Sequence, residues 1–236
     1  MNNNYLCVFR IRLLFVEELY NYLEVTVLHL ENFPSKAKKD QAVPNVLSIV
    51  FHPLWMPVLG TLVILFWSGM YTTMLPIDVK RIILLIVGLC TIGLPVFLYI
   101  LYWMRHWYIA KRRERMLPLI CTAIFYYIAY RALHSIHTPH LIQKFILAST
   151  IAVFLTSFIS VFWKISLHGV GIGGITGMIA SLTILSPILL PVLLGFIVLS
   201  GIVGYARIRL NAHNPLQYYA GLLLGFGMLF GMFLIT

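Results

Sequence analysis

Two short polar stretches in the second half of the chain carry residues that can bind and react with a phosphate group. Arg207 and His213 lie six positions apart in "ARIRLNAHNP". Lys164, Ser166 and His168 fall within five residues in "KISLHG". Guanidinium groups bind phosphate oxygens through paired hydrogen bonds. One histidine can attack phosphorus to form a phospho-enzyme while a second protonates the departing alkoxide, so the two stretches together indicate an anion site capable of group transfer.

A third basic stretch, "KRRER" at 111–115, is a candidate phosphate clamp. Each stretch also has a plainer interpretation. Lys and Arg prefer cytoplasmic loops for reasons of membrane topology, and a capping serine beside a solvated histidine would explain "KISLHG". A shared function is favoured because all three stretches occur in a chain that has very few charges.

The composition indicates that lipid is the main solvent of this chain. Hydrophobic residues make up 61% of it, and the mean hydropathy is +0.92. Charged residues make up 10%, against about 25% in soluble domains.

Seven apolar segments reach or approach the roughly 20 residues that a transmembrane helix needs. Backbone polar groups in lipid must be satisfied internally, so the predicted fold is an all-α polytopic membrane helix bundle with six to seven transmembrane helices. The predicted spans are 46–68, 82–104, 118–133, 145–163, 170–186, 187–205 and 218–236.

The number of crossings places the three basic stretches on one face of the membrane. The connections after the second, fourth and sixth spans are separated by even numbers of crossings, so their cations converge at one surface. The net charge of +10 is therefore assigned to phosphate-bearing lipid heads rather than to nucleic acid. Residues 115–236 contain no carboxylate side chain, which argues against a proton pump with buried acids and against a Mg²⁺ or Ca²⁺ site.

The chain divides by composition into two parts. Residues 1–45 are predicted to hold an amphipathic interfacial helix and a polar linker, and residues 46–236 to form the transmembrane domain. The stretch "HSIHTPH" at 134–140 lies on the face opposite the basic stretches, with no Cys or carboxylate near it. It is interpreted as an interfacial loop rather than a zinc site.

The last apolar segment carries glycines at helical spacing. Gly221 with Gly225, and Gly227 with Gly231, form small-xxx-small pairs. Such pairs let two helix backbones approach closely, either within the bundle or between protomers, so a homo-oligomer is one of the alternatives.

The three basic stretches resemble motifs of the type 2 phosphatidic acid phosphatase family, which are integral membrane lipid phosphatases that share their core with vanadium haloperoxidases. One motif of that family is Ser-Arg, five residues, His, three residues and Asp. Arg207 and His213 keep this spacing, with Ala206 in place of the Ser and Gln217 in place of the Asp. The "AGLLLG" that follows continues as the family usually does.

Two further motifs of the family match in part. Its Pro-Ser-Gly-His is represented by Ser166 and His168, with other residues in place of Pro and Gly. Its Lys, six residues and Arg-Pro matches loosely at "KRRERMLP", where Lys111 and Arg115 are the nearest candidates. The resemblance covers about residues 46–236 and implies a six-helix phosphatase-like core.

The resemblance implies hydrolysis of a lipid phosphomonoester or diphosphate through a phosphohistidine intermediate, with no metal and no other cofactor. His213 would be the nucleophile, and His168 would protonate the departing lipid alcohol. The implied phosphate ligands are Arg207, Ser166, Lys111, Arg115 and Lys164. Gln217 would orient His213, but its amide cannot offset positive charge on the ring as the family's Asp does. A slower enzyme, or a member that binds lipid phosphate without cleaving it, is therefore expected.

The implied substrates are phosphatidate, phosphatidylglycerophosphate or a polyprenyl diphosphate, and the other expected partners are membrane lipids. A multi-pass location in a bacterial inner membrane is expected. The orientation stays open, because the positive-inside tendency favours a cytoplasmic site while the sites of this family often face outside. The remaining alternative is a small-solute transporter of unrelated fold, which would have a polar cavity at the bilayer midplane formed by broken helices.

Overall fold

The computed structural model describes residues 35–67, 71–104 and 116–235, and the structural statements below concern these residues. The amphipathic helix predicted near the amino terminus lies outside them, in residues 13–30. Lys111 and Arg115 also lie outside the described residues.

The described part of the chain is 89% helical and contains no strand. Its α-helices are α1 (Ser35–Val50), α2 (Met56–Trp67), α3 (Ile77–Gly88), α4 (Leu94–Met104), α5 (Met116–Ser135), α6 (His140–Phe162), α7 (Leu167–Leu185), α8 (Leu190–Arg209) and α9 (Pro215–Leu234). Short 3₁₀ helices cover Pro53–Trp55, Tyr71–Met74 and Pro187–Leu189, and a π-helical turn covers Leu89–Gly93. Seven helical segments are long and apolar enough to cross a bilayer. The predicted all-α polytopic bundle is therefore confirmed, and the protein is a multi-pass membrane protein.

The chain forms two compact units, Met1–Val43 and Pro44–Thr236. The described residues of the first unit are 35–43, which form the beginning of α1. The second unit contains α2 to α9 and every residue of the candidate site.

The first span differs from the continuous helix predicted over 46–68, because its helix is interrupted at Phe51 and His52. Pro53 explains the interruption, since proline has no backbone N–H and disfavours helical geometry in the residue before it. The chain turns through the 3₁₀ helix Pro53–Trp55 before α2 begins.

The second span contains a comparable adjustment between α3 and α4. Pro95 cannot donate to the carbonyl four residues earlier, and the helix widens there into the π turn Leu89–Gly93. The Leu94 N–H donates to the Leu89 carbonyl, five residues back. The span stays continuous because the π turn accommodates the hydrogen bond that Pro95 cannot donate.

Glycines bring the backbones of α7 and α9 into direct contact. A Cβ placed on Gly173 would lie 2.2 Å from the Leu222 carbonyl oxygen, and one on Gly225 would lie 2.0 Å from the Val170 carbonyl oxygen. A Cβ on Gly221 would lie 2.5 Å from the carbonyl oxygen of Ser166, the residue that caps the start of α7. The close packing predicted for Gly221 and Gly225 is thus present within the bundle, whereas a Cβ on Gly227 or Gly231 would meet nothing within 4 Å. The contact holds α7, which carries His168, against α9, which begins two residues after His213.

We expect Gly225→Ala to destabilise the protein by about 1–3 kcal/mol, because overpacking at this contact forces the two backbones apart. Gly227 on the same helix is the matched control, since a Cβ there would meet nothing within 4 Å. Gly227→Ala should be neutral or stabilising, because alanine favours a helix over glycine. Thermal unfolding of both variants in detergent checks the difference, and equal midpoints would show that the α7–α9 contact is not tight.

Candidate active site

Four of the residues predicted for the anion site, Lys164, His168, Arg207 and His213, meet at one cavity of about 920 Å³ in the unit Pro44–Thr236. Its charged and imidazole lining residues are His52, Lys164, His168, Arg207 and His213. None of the described residues lining it is Asp or Glu. The rest of the lining is mainly apolar and comes from the helices around α7. The cavity therefore joins a cationic region to an apolar one.

The turn between α8 and α9 sets the relation of Arg207 to His213. Asn211 adopts a left-handed conformation with φ of 52°. The Ala212 N–H donates to the Arg207 carbonyl at 3.1 Å, and the Asn211 N–H donates to the Ile208 carbonyl at 3.0 Å. This pair of bonds is a Schellman motif, which ends α8 and reverses the chain. The turn thereby brings both side chains to the same cavity.

The start of α9 fixes the His213 ring. The Asn214 side chain accepts from the Gln217 N–H at 2.8 Å, and Gln217 Oε1 accepts from the Asn214 N–H at 3.3 Å, which completes a capping box. Because the Asn214 N–H is a donor, the amide atom facing it must be the oxygen. The same oxygen lies 3.3 Å from His213 Nδ1.

This contact determines the tautomer of His213. An amide oxygen only accepts, so Nδ1 must carry the proton, and in the neutral ring the lone pair is on Nε2. Nε2 is then the nitrogen suited to attack an electrophile. Gln217 thus provides the orientation expected of it, while adding no charge.

His168 and Arg207 are both held by one residue, Ser48 near the end of α1. His168 Nε2 lies 3.0 Å from the Ser48 carbonyl oxygen. An Arg207 terminal nitrogen donates to the Ser48 hydroxyl at 3.3 Å. Arg207 Nε is buried and has no hydrogen-bond partner in the described part of the chain. The guanidinium therefore retains an unsatisfied donor.

His52 adds a third imidazole to the cavity. Its Nδ1 accepts from the Leu54 N–H at 3.4 Å and caps the 3₁₀ helix. Its ring centroid lies 5.7 Å from that of His168, edge to face. Sequence reasoning missed both His52 and Ser48, and the only signal for them was Pro53, which interrupts the helix that would otherwise carry them past the site.

Ser166, which the resemblance implied as a phosphate ligand, lies away from the cavity surface. It is fully buried and does not line the cavity. Its hydroxyl accepts from the Gly169 N–H at 3.3 Å as the cap of α7, and its own N–H donates to the Gln217 carbonyl at 3.1 Å. Ser166 therefore joins the starts of α7 and α9, and it offers no exposed surface to a phosphate. Lys164, by contrast, is exposed and lines the cavity.

The helix ends add to the electrostatics of the site. α7 begins there with Leu167, which also lines the cavity, and the start of a helix carries about half a positive charge. α8 ends there, with Arg207 and Arg209 in its last turn to offset the negative end of its dipole. These cations therefore gather at helix ends rather than in the middle of the helices.

Within the described ranges, no three His, Cys, Asp or Glu side chains are grouped so that they could hold a metal ion. In the "HSIHTPH" stretch, His134 Nδ1 lies 3.0 Å from Gln143 Oε1, and the Gln143 amide donates to the Thr138 carbonyl at 2.6 Å. This histidine therefore holds the turn between α5 and α6.

No family model, no curated protein and no solved structure matches this chain. The resemblance to the type 2 phosphatidic acid phosphatases accordingly rests on Arg207, His213, Ser166 and His168, and it remains a prediction.

Proposed function

We propose that the protein is an integral membrane phosphatase that hydrolyses a phosphomonoester or diphosphate of a lipid through a phosphohistidine on His213. The observation that carries the proposal is the meeting of Arg207, Lys164, His168 and His213 at one cavity that has no carboxylate in its described lining. Such a site attracts an anion, because the guanidinium of Arg207 and the ammonium of Lys164 can donate charge-assisted hydrogen bonds to phosphate oxygens.

In the proposed reaction, Nε2 of His213 attacks phosphorus, a P–N bond forms, and the bond from phosphorus to the lipid oxygen breaks. The departing oxygen takes a proton from the imidazolium form of His168, which becomes neutral, and leaves as the lipid alcohol. A water molecule then gives a proton to His168 and attacks phosphorus. The P–N bond breaks, phosphate is released, and both histidines return to their starting states.

The apolar part of the cavity supports a lipid rather than a free phosphate as the substrate. From His168 the lining continues along α7 through Gly171 and Gly174 to Ile175. Seven residues of α-helix correspond to about 10 Å. A volume of about 920 Å³ holds a headgroup together with part of its chains. Phosphatidate, phosphatidylglycerophosphate and polyprenyl diphosphates fit this description, and a bacterial inner membrane is the location that goes with the proposal.

Phosphate release from matched substrates tests the proposal. Purified protein in detergent with excess chelator should release phosphate from phosphatidate but much more slowly from glycerol 3-phosphate, which has the same phosphomonoester without the chains. Equal rates on the two would contradict a lipid substrate. No release from phosphatidate, phosphatidylglycerophosphate or a polyprenyl diphosphate would contradict the phosphatase assignment.

The neutral side chain of Gln217 favours one alternative, a protein that binds lipid phosphate without cleaving it. Without a carboxylate beside it, His213 gains no stabilisation of positive charge as the reaction proceeds. Saturable binding of phosphatidate in the absence of any phosphate release, even over long incubation, would support this alternative.

A further inference from the structure

The interruption of the first span changes which atoms of α1 are available to the site. In an unbroken helix the His52 N–H would donate to the Ser48 carbonyl, and the N–H of residue 53 would donate to the Ile49 carbonyl. Pro53 has no N–H, and the His52 N–H donates to the Ile49 carbonyl instead, at 3.2 Å. The Ser48 carbonyl is thereby released from the helix.

The released carbonyl is the partner of His168. His168 Nε2 lies 3.0 Å from it, although the two residues are 120 positions apart in sequence. A carbonyl oxygen only accepts, so Nε2 carries a proton and donates it to Ser48. Nδ1 is then the ring nitrogen at which His168 exchanges its second proton.

The side chain of Ser48 has a separate partner in the same site. Its hydroxyl accepts from Arg207 at 3.3 Å. One residue of α1 therefore holds the imidazole on α7 through its backbone and the guanidinium on α8 through its side chain. Neither Ser48 nor Pro53 belongs to the motifs that suggested the site.

We propose that Ser48, released by Pro53, is a positioning residue. Its carbonyl accepts from His168 Nε2–H in both the neutral and the imidazolium form, so that the imidazolium gives its Nδ1 proton to the leaving oxygen and the neutral ring is left as the Nε2–H tautomer, and its hydroxyl aims Arg207 at the phosphate. This proposal rests on the proposed phosphatase function for its catalytic consequence. The tautomer of His168 can be measured whether or not the protein is a phosphatase.

Two variants separate the two contacts. Pro53→Ala restores an N–H that can donate to Ile49, which lets the His52 N–H return to Ser48 and compete with His168. We expect kcat to fall about tenfold or more, with little change in KM, because general acid catalysis is impaired. Ser48→Ala keeps the carbonyl and removes the hydroxyl, so KM should rise about tenfold with little change in kcat.

Nitrogen-15 spectra of the histidine side chains report the tautomer of His168. This tautomer would not change if Ser48 and Pro53 only stabilised the fold. In the wild-type protein at a pH at which its ring is neutral, His168, assigned by the spectrum of His168→Gln, should appear as the Nε2–H tautomer. Pro53→Ala should shift it toward a mixture of tautomers, whereas Ser48→Ala should leave it unchanged. Pro191→Ala is the matched control, because Pro191 is exposed in the first turn of α8, at the opposite end of that helix from Arg207.

The outcomes distinguish this proposal from the proposed function. Absence of phosphate release from the wild-type protein contradicts the phosphatase, yet the spectra still test the role of Ser48. A wild-type His168 in the Nδ1–H tautomer overturns the positioning role, whether or not Pro53→Ala folds. An unchanged tautomer and kcat in a folded Pro53→Ala overturn it as well.

Discussion

His213→Ala should abolish phosphate release from lipid phosphates, lowering kcat by about 10⁴-fold or more, because loss of a nucleophile removes the covalent route entirely. Nε2 of His213 is the nitrogen that the Gln217 contact leaves with the lone pair. The measurement is single-turnover phosphate release at saturating phosphatidate, with binding of the substrate checked separately.

His134→Ala is the matched control for this loss. His134 forms the same imidazole–amide contact with Gln143, Nδ1 to Oε1, at 3.0 Å, but it does not line the cavity. Its replacement removes a comparable contact at the turn between α5 and α6, so stability should fall while kcat per folded molecule is kept. Activity of His213→Ala within tenfold of the wild type would exclude His213 as the nucleophile.

Gln217→Glu should raise kcat, by about 10²-fold, because it places a negative charge beside the His213 ring at nearly unchanged geometry. Neutralising the comparable Asp in serine proteases lowers kcat about 10⁴-fold, partly through the wrong tautomer. The tautomer is already correct here, so the expected gain is smaller. A glutamate also preserves the capping box at the start of α9.

Asn214→Asp separates this effect from a general change in charge. It adds the same charge in the same turn and preserves the cap, but Asn214 is exposed and bonds to the Gln217 N–H rather than to His213. The gain should be confined to Gln217→Glu. Equal rates for the two variants, or a decrease in both, would show that the ring gains no charge in the rate-limiting step.

The parts of the fold that follow from local chemistry could be predicted from the sequence. Lipid solvation requires helices for the apolar segments, and the glycine spacing of the last segment indicated its close packing. The six-residue spacing of Arg207 and His213 placed them on either side of a turn, and the structure brings both to one cavity.

The parts that depend on contacts between distant segments could not be predicted. Ser48 reads as an ordinary serine in an apolar run, and its contact with His168 exists only because a proline five residues later shifts a hydrogen bond. For Ser166, in contrast, the sequence suggested a site residue where the structure shows a helix cap. Its type and neighbours suggested a phosphate ligand, but its hydroxyl caps α7 and its backbone holds α9.

The most direct measurement is the location of the phosphoryl group during turnover. Trypsin cuts after Lys164, Arg207 and Arg209, so that His168 falls in peptide 165–207 and His213 is the only histidine of peptide 210–236. Protein quenched during turnover of ³²P-labelled phosphatidate should carry acid-labile, alkali-stable label in peptide 210–236 and none in His213→Ala. Phosphate release without label in that peptide, or label in peptide 165–207 instead, would contradict the role of His213.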